Sequence, residues 1–383
     1  MSPGRRTHRY RLAGAALIAL LALPGEPPAS PGRTDLTLLF TGDVLVHTPV
    51  AASAAAYGRL SGRSHDFSPM FAEVAPVISA VDWAVCHLEV SLGVPGVPTS
   101  PFPRIAAPAA VADALAQSGF DACSTSSNHA LDFGAPGVES TIAALEGAGV
   151  AHTGTATSPG SANGILYQVG GVTVGHASYS YGFNGFTLPP DQPWLANQID
   201  PDRILGDAAR LRRVGAEVVV ISLHWGAEYR PLPIAYQTDL AQALTSSPDI
   251  DLVIGHHAHV VQPLSWWGDT PVAFGLGNFL SNQTDQLSED GVMLIVRLAP
   301  EGEEWKVEEV GAVPTWVDRR QGHVIRDALG GEGRFLASAG RTGAALDLLG
   351  EGPPLYSVEE ARRWVLADVI AARMVRLCRA GAC

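Results

Sequence analysis

Five short apolar runs in this chain each end in small or polar residues that lead to a histidine or an acidic side chain. The runs close at Asp43, Glu89, His129 and His224 and, in the last run, at three histidines within four positions. Functional side chains collect at the carboxyl ends of the strands in α/β domains, so five such endings predict one converging site. Imidazoles grouped on a loop are usually metal ligands. The pattern therefore predicts an α/β fold with a metal site at its strand ends.

The composition fits a full-sized globular protein and argues against one class of partner. The 383 residues are 46% hydrophobic, which suits one large domain or one domain with an appendage. The net charge of -13 predicts no nucleic-acid partner, because binding a phosphate backbone needs a basic surface. Lys306 is the only lysine and lies in an acidic segment, which leaves no candidate for Schiff-base or P-loop chemistry.

Residues 1–30 have the pattern of a signal peptide. Four arginines precede an apolar run at 12–23, and small residues around 29–30 suit a cleavage site. We therefore expect the mature protein to be exported and to be periplasmic, extracellular or in the cell envelope. The apolar run is shorter than the ~20 residues that a membrane-spanning helix needs. An uncleaved signal anchor stays open as the alternative, and membrane association would follow only from it.

After a linker at 24–35, strand patterns alternate with helix patterns, as in a layered α/β domain. Start and stop signals predict helices at 70–80, 109–117, 138–146, 204–213 and 236–245. Two alternating runs around Gly170 and Gly171 predict an antiparallel hairpin over 165–178, and further strands are expected at 272–274, 292–298 and 305–310. We predict a main domain over 31–320 and, from amphipathic patterns at 335–349 and 358–377, a helical extension over 321–383. The loops 94–108 and 183–197 are expected to rim a substrate groove.

The four cysteines fit an oxidising compartment without forming a dense disulfide framework. Cys86 and Cys123 lie inside strand-like runs and are predicted to be small buried hydrophobic residues, not ligands. Cys378 and Cys383 could close a small disulfide loop at the C-terminus or could be two exposed thiols.

Six motifs that surround these strand ends occur in a fixed order. They are Thr41-Gly42-Asp43, His87-Leu88-Glu89, Ser127-Asn128-His129-Ala130-Leu131-Asp132-Phe133-Gly134, His224-Trp225-Gly226-Ala227-Glu228-Tyr229, Gly255-His256-His257-Ala258-His259 and Leu276-Gly277-Asn278-Phe279. The series resembles the CapA family of capsule or poly-γ-glutamate biosynthesis proteins. That family's pattern has Gly-Asp, Asn-Leu-Glu, Asn-Asn-His-Ala-Leu-Asp-Tyr-Gly, His-Trp-Gly-x-Glu-Tyr, Gly-x-His-x-His and Leu-Gly-Asn-Phe. The resemblance covers about residues 36–298. Because that family belongs to the calcineurin-like metallophosphatase superfamily, the resemblance implies a four-layer α/β/β/α sandwich.

The resemblance also implies roles for individual residues. The metal ligands that it implies are Asp43, Glu89, Asn128, His224, His257 and His259, with Glu89 as the carboxylate that bridges two ions. His129 corresponds to the histidine that protonates a leaving group or steadies the transition state. Such a mixed nitrogen and oxygen shell suits one or two ions of Mn, Fe or Zn, which would activate water and neutralise charge on the substrate. Glu228, Tyr229 and Asn278 are expected to contact substrate.

Three departures matter for the site, one from the superfamily pattern and two from the CapA pattern. Phosphatases of the superfamily carry Asp-x-His at the first motif, but Leu45 stands two residues after Asp43, and His47 could replace that ligand or be an ordinary loop histidine. His87 and Ser127 each replace an asparagine, which changes the hydrogen bonds around the ligands. Read singly, the motif residues have structural explanations too: His224 as a core histidine, Asp43 and Asn128 as caps or turns, and Gly277-Asn278 as a turn.

The leading functional hypothesis is an exported protein of capsule or poly-γ-glutamate biosynthesis, export or anchoring that hydrolyses a phosphoester or an amide with a divalent metal. Its expected partners are an anionic polymer or phosphoester substrate and membrane proteins of a capsule synthase. A metallophosphoesterase unrelated to capsules is one alternative. The other is a non-catalytic envelope factor, for which a local arginine patch such as 203–213 would offset the negative net charge.

Overall fold

A computed structural model describes residues 35–367 of the chain. Its strands are β1 (Leu36–Val44), β2 (Trp83–Leu88), β3 (Ser91–Leu92), β4 (Ala106–Ala107), β5 (Ala122–Ser124), β6 (Ala151–Thr153), β7 (Ile165–Val169), β8 (Val172–Ser180), β9 (Val218–His224), β10 (Leu252–His256), β11 (Leu264–Trp267), β12 (Thr270–Ala273), β13 (Asn278–Leu280), β14 (Asp290–Glu301), β15 (Glu304–Asp318) and β16 (Val324–Asp327). Its helices are α1 (Thr48–Ser61), α2 (Ser68–Phe71), α3 (Ala75–Ile78), α4 (Ala110–Ser118), α5 (Gly134–Ala148), α6 (Pro201–Arg213), α7 (Ala235–Thr245) and α8 (Arg334–Leu346), and residues 358–367 are helical as well. Within 35–367, no helix is both long and apolar enough to cross a membrane.

The strands form two large sheets. The first has the order β16-β15-β14-β1-β2-β5-β6, with β13 also paired to β1, and the second has the order β11-β12-β10-β9-β8-β7. In the first sheet, β13, β1, β2, β5 and β6 run parallel, whereas β14, β15 and β16 add antiparallel hairpins. In the second sheet, β8, β9, β10 and β12 are parallel. The carboxyl ends of the parallel strands in each sheet therefore lie along one edge.

Three apolar cores show how the sheets and helices are layered. One core lies between the first sheet and helices α1 to α5, and the terminal helical residues 358–367 also pack on it. A second core lies between the two sheets, with residues of β1, β2 and β14 against residues of β8, β9 and β10. The third lies between the second sheet and helices α6 and α7. The order of layers is thus helix, sheet, sheet, helix, which is the predicted four-layer α/β/β/α sandwich.

The layer between the sheets changes from apolar to polar toward the carboxyl ends of the strands. Alternate residues of a strand point to the same face, so β2 turns Val85 and then His87 toward the second sheet. Strand β9 likewise turns Val220 and then His224 toward the first sheet, and β10 ends the same way in His256. The fold therefore carries polar side chains of both sheets into one buried region.

The strands that end in polar motifs and the hairpin predicted at 165–178 are confirmed, as are the helices that correspond to α4, α5, α6 and α7. The predicted single helix at 70–80 is wrong, because α2 and α3 are separate short helices. Pro76 near the start of α3 lacks an N–H and crowds the preceding turn, so one helix cannot run through it. Helix α1 was not predicted.

The segment after residue 320 needs one correction. It was expected to be helical, but it begins with β16, which pairs with β15 and extends the first sheet before α8 begins. The boundary at 320 and the predicted signal peptide stay predictions. The signal peptide and the Cys378 and Cys383 pair lie outside the described residues.

Cys86 and Cys123 are buried, as predicted, but they are not independent side chains. They occupy paired positions on the neighbouring strands β2 and β5, and a disulfide joins them across a Cα–Cα distance of 4.5 Å. Both face the helical layer, on the opposite side of the strands from His87. The expectation of two separate small hydrophobic residues is therefore corrected.

Candidate metal centre

Strand register places the polar strand ends side by side. In the first sheet, Asp43 of β1 pairs with His87 of β2, and His87 pairs with Ser124 of β5. In the second sheet, His224 of β9 pairs with His256 of β10. These residues are all buried. Two rows of polar side chains, one from each sheet, therefore meet at the same end of the sandwich.

The loops that follow the strands supply the remaining site residues. His257 and His259 follow β10 with φ angles of 87° and 56°, in the left-handed region that residues other than glycine rarely adopt. Each such conformation costs about 1–3 kcal/mol and persists where the surrounding structure fixes it. Gly255 precedes them because a Cβ atom there would lie 2.0 Å from the carbonyl oxygen of Phe274. The strained loop thus aims two imidazoles at the site.

The structure brings the predicted ligands into two overlapping groups. Ligand atoms of Asp43, Glu89 and His259 lie within 4.8 Å of one another, and so do those of Glu89, His224 and His257. Glu89 belongs to both groups, which is the position that a bridging carboxylate needs. The predicted amide ligand Asn128 is also present, with Oδ1 3.0 Å from Nε2 of His224.

Unpartnered polar atoms test whether these residues fit a metal ion. Among residues 35–367, Oδ1 of Asp43, both carboxylate oxygens of Glu89 and Nδ1 of His257 are buried without a hydrogen-bond partner. Buried acceptors of this kind are costly unless something satisfies them. Carboxylate oxygens and imidazole nitrogens converging at this spacing fit one or two divalent cations of the Mn, Fe or Zn type. These oxygen and nitrogen donors therefore fit the divalent metal ions that the motifs imply.

Burial acts on the two carboxylates in the same direction, but their neighbours differ. Burial would raise the pKa of Asp43, yet the close imidazoles of His256 and His259 outweigh it and hold that pKa well below its usual value. For Glu89, burial dominates over the charge of His259 and raises the pKa well above its usual value. Asp43 is therefore ready as an anionic ligand, whereas Glu89 takes its charged form most readily beside a cation.

The predicted histidine ligands also differ in the direction in which their pKa is shifted. Burial lowers the pKa of His224 well below its usual value, and burial together with the charge of His259 lowers that of His257 to about 3. Burial also opposes the charged form of His259, but Glu89 and Asp43 raise its pKa to about 9. Because a metal binds the neutral imidazole, His224 and His257 are ready to coordinate at neutral pH, and His259 must first lose a proton.

His129 lies beside the ligand groups and is held by a buried carboxylate. Its Nδ1 is 2.7 Å from Oδ2 of Asp132, and that oxygen also accepts a hydrogen bond of 2.7 Å from the backbone N–H of Ile105. Asn184, from the loop predicted to rim a groove, comes within 3.5 Å of the same ring nitrogen. The Asp132 contact fixes the ring and leaves Nε2 as the nitrogen for proton transfer.

The three residues expected to contact substrate occupy different surroundings. Glu228 is exposed and can join His257 and His259 in a further group, while Tyr229 is 49% exposed with its ring 6.0 Å from that of His259. Asn278 is 1% exposed, and its Oδ1 lies 3.1 Å from Nδ1 of His259 while its amide group donates to the carbonyl of Ser288. Asn278 is therefore placed to orient His259, and its contact with substrate stays a prediction.

The departures from the family pattern have local explanations. Leu45 is packed in the helical-side core and offers no ligand. His47 does not join either ligand group, and its Nδ1 accepts a hydrogen bond from the backbone N–H of Asn282. Ser127 replaces asparagine and bonds to backbone groups of the ligand loops: its hydroxyl donates to the carbonyl of Glu89 and accepts from the N–H of His129.

The sequence analysis did not assign two buried histidines that the structure places in the site. His87 and His256 stack face to face, with ring centroids 3.9 Å apart, and His256 Nδ1 is 3.5 Å from Oδ1 of Asp43. The signal was present, because both lie at inward positions of strands that end in the motifs. Which strands face each other could not be inferred from one sequence, so their pairing was missed.

Comparisons with known proteins support the motif series. Residues 37–283 match the family model described as bacterial capsule synthesis protein PGA_cap. Capsule biosynthesis protein CapA of Bacillus anthracis is 29% identical over 194 residues, which cover 49% of this chain and 47% of that protein. PGA biosynthesis protein CapA of Bacillus subtilis (strain 168) is 27% identical over 186 residues, 48% of each chain. The chain spans about half the length of the curated relatives it matches.

Among solved structures, the calcineurin-like phosphoesterase YfkN from Bacillus subtilis aligns with a TM-score of 0.46 and 14% identity over 87% of this chain and 99% of that chain. The family assignment depends on the sequence match, which confirms the resemblance seen in the six motifs. Because the family model covers well over half of the sequence, the chain belongs to the bacterial capsule synthesis protein family PGA_cap.

Proposed function

We propose that this chain is an exported, metal-dependent hydrolase that acts in capsule or poly-γ-glutamate biosynthesis, export or anchoring. The observation that carries the proposal is the pair of overlapping ligand groups around Glu89, whose buried carboxylate oxygens have no hydrogen-bond partner among the described residues. Membership of the capsule synthesis family supports the biological setting. The CapA relatives, named for capsule and PGA biosynthesis, support a polymer as the substrate.

The residues around the ligands have separable roles in such a hydrolysis. A bound divalent ion supplies Lewis-acid activation of water and neutralises charge on the substrate's oxygens. His129 is placed to give a proton from Nε2 to the leaving group, and Asp132, 2.7 Å from Nδ1, stabilises the charged ring before that transfer. Tyr181 packs over His257 with ring centroids 4.6 Å apart and covers one side of that imidazole.

Arg104 supports an anionic substrate. Its Nε donates to the backbone carbonyl of Asp132, and its guanidinium lies 4.6 Å over the ring of Phe133 and 5.8 Å from that of Phe186. No carboxylate within residues 35–367 forms an ion pair with it. An exposed guanidinium held next to the His129 and Asp132 pair is suited to carboxylate or phosphate groups of a polymer.

The arginine patch at 203–213 gives less support for polymer binding than the sequence suggested. Arg203 and Arg210 each lie 3.6 Å from Asp207, and Arg212 lies 2.5 Å from Asp251. The two carboxylates offset the charge of two of the four arginines in the patch. Anion binding at the metal site and at Arg104 is therefore the better basis for the proposed function.

We also propose that the chain is exported and that its partners are membrane proteins. The signal-like residues 1–30 support export, and the disulfide between Cys86 and Cys123 suits an oxidising compartment, because such bonds are rare in the cytosol. Capsule-synthase proteins of the membrane are the partners that this setting suggests. Membrane association of the chain itself would require that the signal stays uncleaved.

The first test is elemental analysis of the purified mature protein beside an Asp43→Ala, His257→Ala double variant. We expect near-stoichiometric Mn, Fe or Zn in the wild type and its loss in the variant. His65→Ala, which removes a histidine outside the ligand groups, is the matched control and should keep the metal. No metal in the wild type even after reconstitution would instead favour a non-catalytic envelope factor.

Activity assays then separate the two hydrolase candidates. The metal-loaded protein should cleave γ-linked polyglutamate, and the double variant should not. The mixed ligand shell and His129 also suit a metallophosphoesterase unrelated to capsules. Turnover of an aryl phosphate without any effect on γ-linked polyglutamate would favour that second candidate.

A further inference from the structure

His87 stands where the CapA pattern has asparagine, and the structure gives both of its ring nitrogens a partner. Nδ1 lies 2.8 Å from the hydroxyl of Ser124, and Nε2 lies 2.9 Å from Nδ1 of His224. All three side chains are buried between the sheets, at 0–1% exposure. His87 is thus the central member of a chain of hydrogen bonds that ends on a proposed metal ligand.

The proton positions along this chain follow from the metal site. Nε2 of His224 faces the other ligands, 3.0 Å from Oδ1 of Asn128 and 3.8 Å from Oε1 of Glu89. An imidazole that coordinates through Nε2 carries its proton on Nδ1 and needs an acceptor there. Nε2 of His87 is the atom at hydrogen-bond distance from that nitrogen. The His224 N–H therefore donates to His87.

The proton positions on His87 and Ser124 follow from that hydrogen bond. If Nε2 of His87 accepts, its proton is on Nδ1, which donates to the Ser124 hydroxyl. Ser124 in turn donates to the backbone carbonyl of Cys86, 3.3 Å away. A backbone carbonyl can only accept, so the direction of every hydrogen bond from Cys86 to His224 is determined.

His87 is also close enough to Asp43 and His256 to be considered a ligand itself. Two features argue against that role. Both of its nitrogens are already used, and its ring is stacked on His256 with an interplanar angle of 10° and centroids 3.9 Å apart. Imidazole lone pairs lie in the ring plane, so two parallel stacked rings cannot both aim at one ion. His87 is therefore better described as a positioning residue.

We propose that His87 and Ser124 form a buried relay that fixes the tautomer and orientation of His224 for metal binding. The proposal rests on the proposed metal site and adds two residues to it, neither of which coordinates the ion. Partners that hold a ligand histidine in this way typically change metal affinity by 10–100-fold when removed.

The test compares metal affinity in four variants, measured for Zn by competition with a chromophoric chelator. His87→Leu removes both hydrogen bonds and keeps an apolar side chain in the space, and we expect affinity about 10–100-fold below wild type. His87→Gln offers an amide oxygen to His224 and should retain most of the affinity. Ser124→Ala should cause a smaller loss in the same direction.

His176→Leu is the matched control. His176 is another fully buried imidazole of the inter-sheet layer, but its Nε2 bonds to Ser222 and not to a ligand. Its removal should leave Zn affinity within about twofold of wild type, and circular dichroism of the metal-free proteins checks that each variant is folded. If His176→Leu lowers affinity as much as His87→Leu does, the effect is one of packing and the relay is wrong.

A second readout does not depend on any variant. Long-range ¹H–¹⁵N correlation spectra of the Zn-loaded wild type should show His87 as the tautomer protonated on Nδ1 and unprotonated on Nε2. The opposite tautomer would overturn the relay while leaving the metal site intact. A wild type that binds no Zn would overturn the proposed function and the relay together, so the two failures are distinguishable.

Discussion

His259 is the predicted metal ligand whose protonation would link metal binding to pH. Burial favours its neutral form, but the charges of Glu89 and Asp43 raise its pKa to about 9, so the metal-free site holds a proton there at neutral pH. An ion must displace that proton. We therefore expect the apparent Zn affinity to rise at least about tenfold per pH unit between about pH 6.5 and about pH 8.5.

The number of displaced protons can be measured directly. Calorimetric Zn titrations in two buffers of different ionisation enthalpy should show at least one proton released per ion at pH 7. The chelator's own pH dependence is the control for the competition experiment. An affinity that does not change with pH would contradict a protonated His259 in the metal-free site.

Arg104 leads to a prediction about substrate charge. Replacing it by glutamine removes the guanidinium but keeps a polar side chain, and binding of a γ-linked glutamate oligomer to the metal-loaded protein should weaken by about 3- to 10-fold. Arg104→Lys should restore part of the loss. Calorimetric titration at low and physiological salt is the measurement, because a charge interaction at an exposed group is screened by salt.

One control tests the position of the arginine, and a second tests the charge of the oligomer. Arg213 is exposed at the end of α6, and Arg213→Gln makes the same change in net charge away from the site. It should leave binding unchanged. The corresponding oligomer with its α-carboxylates amidated, and therefore neutral, should bind equally to wild type and Arg104→Gln. Equal losses in the two arginine variants would show a general charge effect.

At the scale of elements, the disulfide ties two neighbouring strands that carry the site on their opposite face. It joins β2 to β5 across 37 positions of sequence, so it restricts the unfolded chain as well as the folded one. Reducing it, or replacing both cysteines by alanine, should lower the free energy of unfolding by about 2–4 kcal/mol. Urea denaturation with and without reductant is the measurement.

The double variant Cys86→Ala, Cys123→Ala is the control for the effect of reductant on the wild type. Reductant should shift the unfolding midpoint of the wild type and leave that of the variant unchanged. A shift of the same size in both would assign the effect to Cys378 and Cys383, and no shift in either would contradict a stabilising bridge.

Elements with a strong local signal could be predicted from the sequence. Parallel strands buried on both faces read as continuous apolar runs, which is why β1, β2, β9 and β10 were found. Helix α1 was missed because its alanines stand on buried and exposed faces alike and leave little periodicity. The predicted helix at 70–80 is wrong because Pro76 interrupts it, although the apolar pattern continues on both sides of that proline.

The candidate site shows the same division between local and long-range information. The ligand residues sit in motifs that a family resemblance can locate one by one. The contact between His87 and His224 joins positions 137 residues apart and depends on which strands of the two sheets face each other. Neither the strand order nor the facing of the sheets is encoded in a local pattern, so this part of the site required the structure.

For the whole molecule, the layer between the sheets is apolar at one end and polar at the other. This arrangement buries imidazoles that an unfolded chain would expose to water. Burial lowers the pKa of His176 in this layer to about 3. His323 lies outside the layer, in contact with Ser53 and Asn282, and burial with the charge of Arg319 lowers its pKa to about 4. Both lie outside the ligand groups, so they report on folding and not on metal binding.

These buried histidines predict acid sensitivity of the metal-free protein. In the unfolded chain they bind protons near pH 6.5, whereas in the folded protein they stay neutral to about pH 4, so unfolding takes up protons in between. Stability is therefore fully present above about pH 6.5 and falls as the pH is lowered through that window. His259 and Glu89 act in the opposite direction because folding raises the pKa of each, but more of the buried histidines have a lowered pKa, among them His47 and His257. The urea midpoint should be lower at pH 5 than at pH 6.5, and His176→Gln should reduce the difference because it removes one of the responsible groups. A midpoint equal or higher at pH 5 would show that the inter-sheet layer admits protons without unfolding.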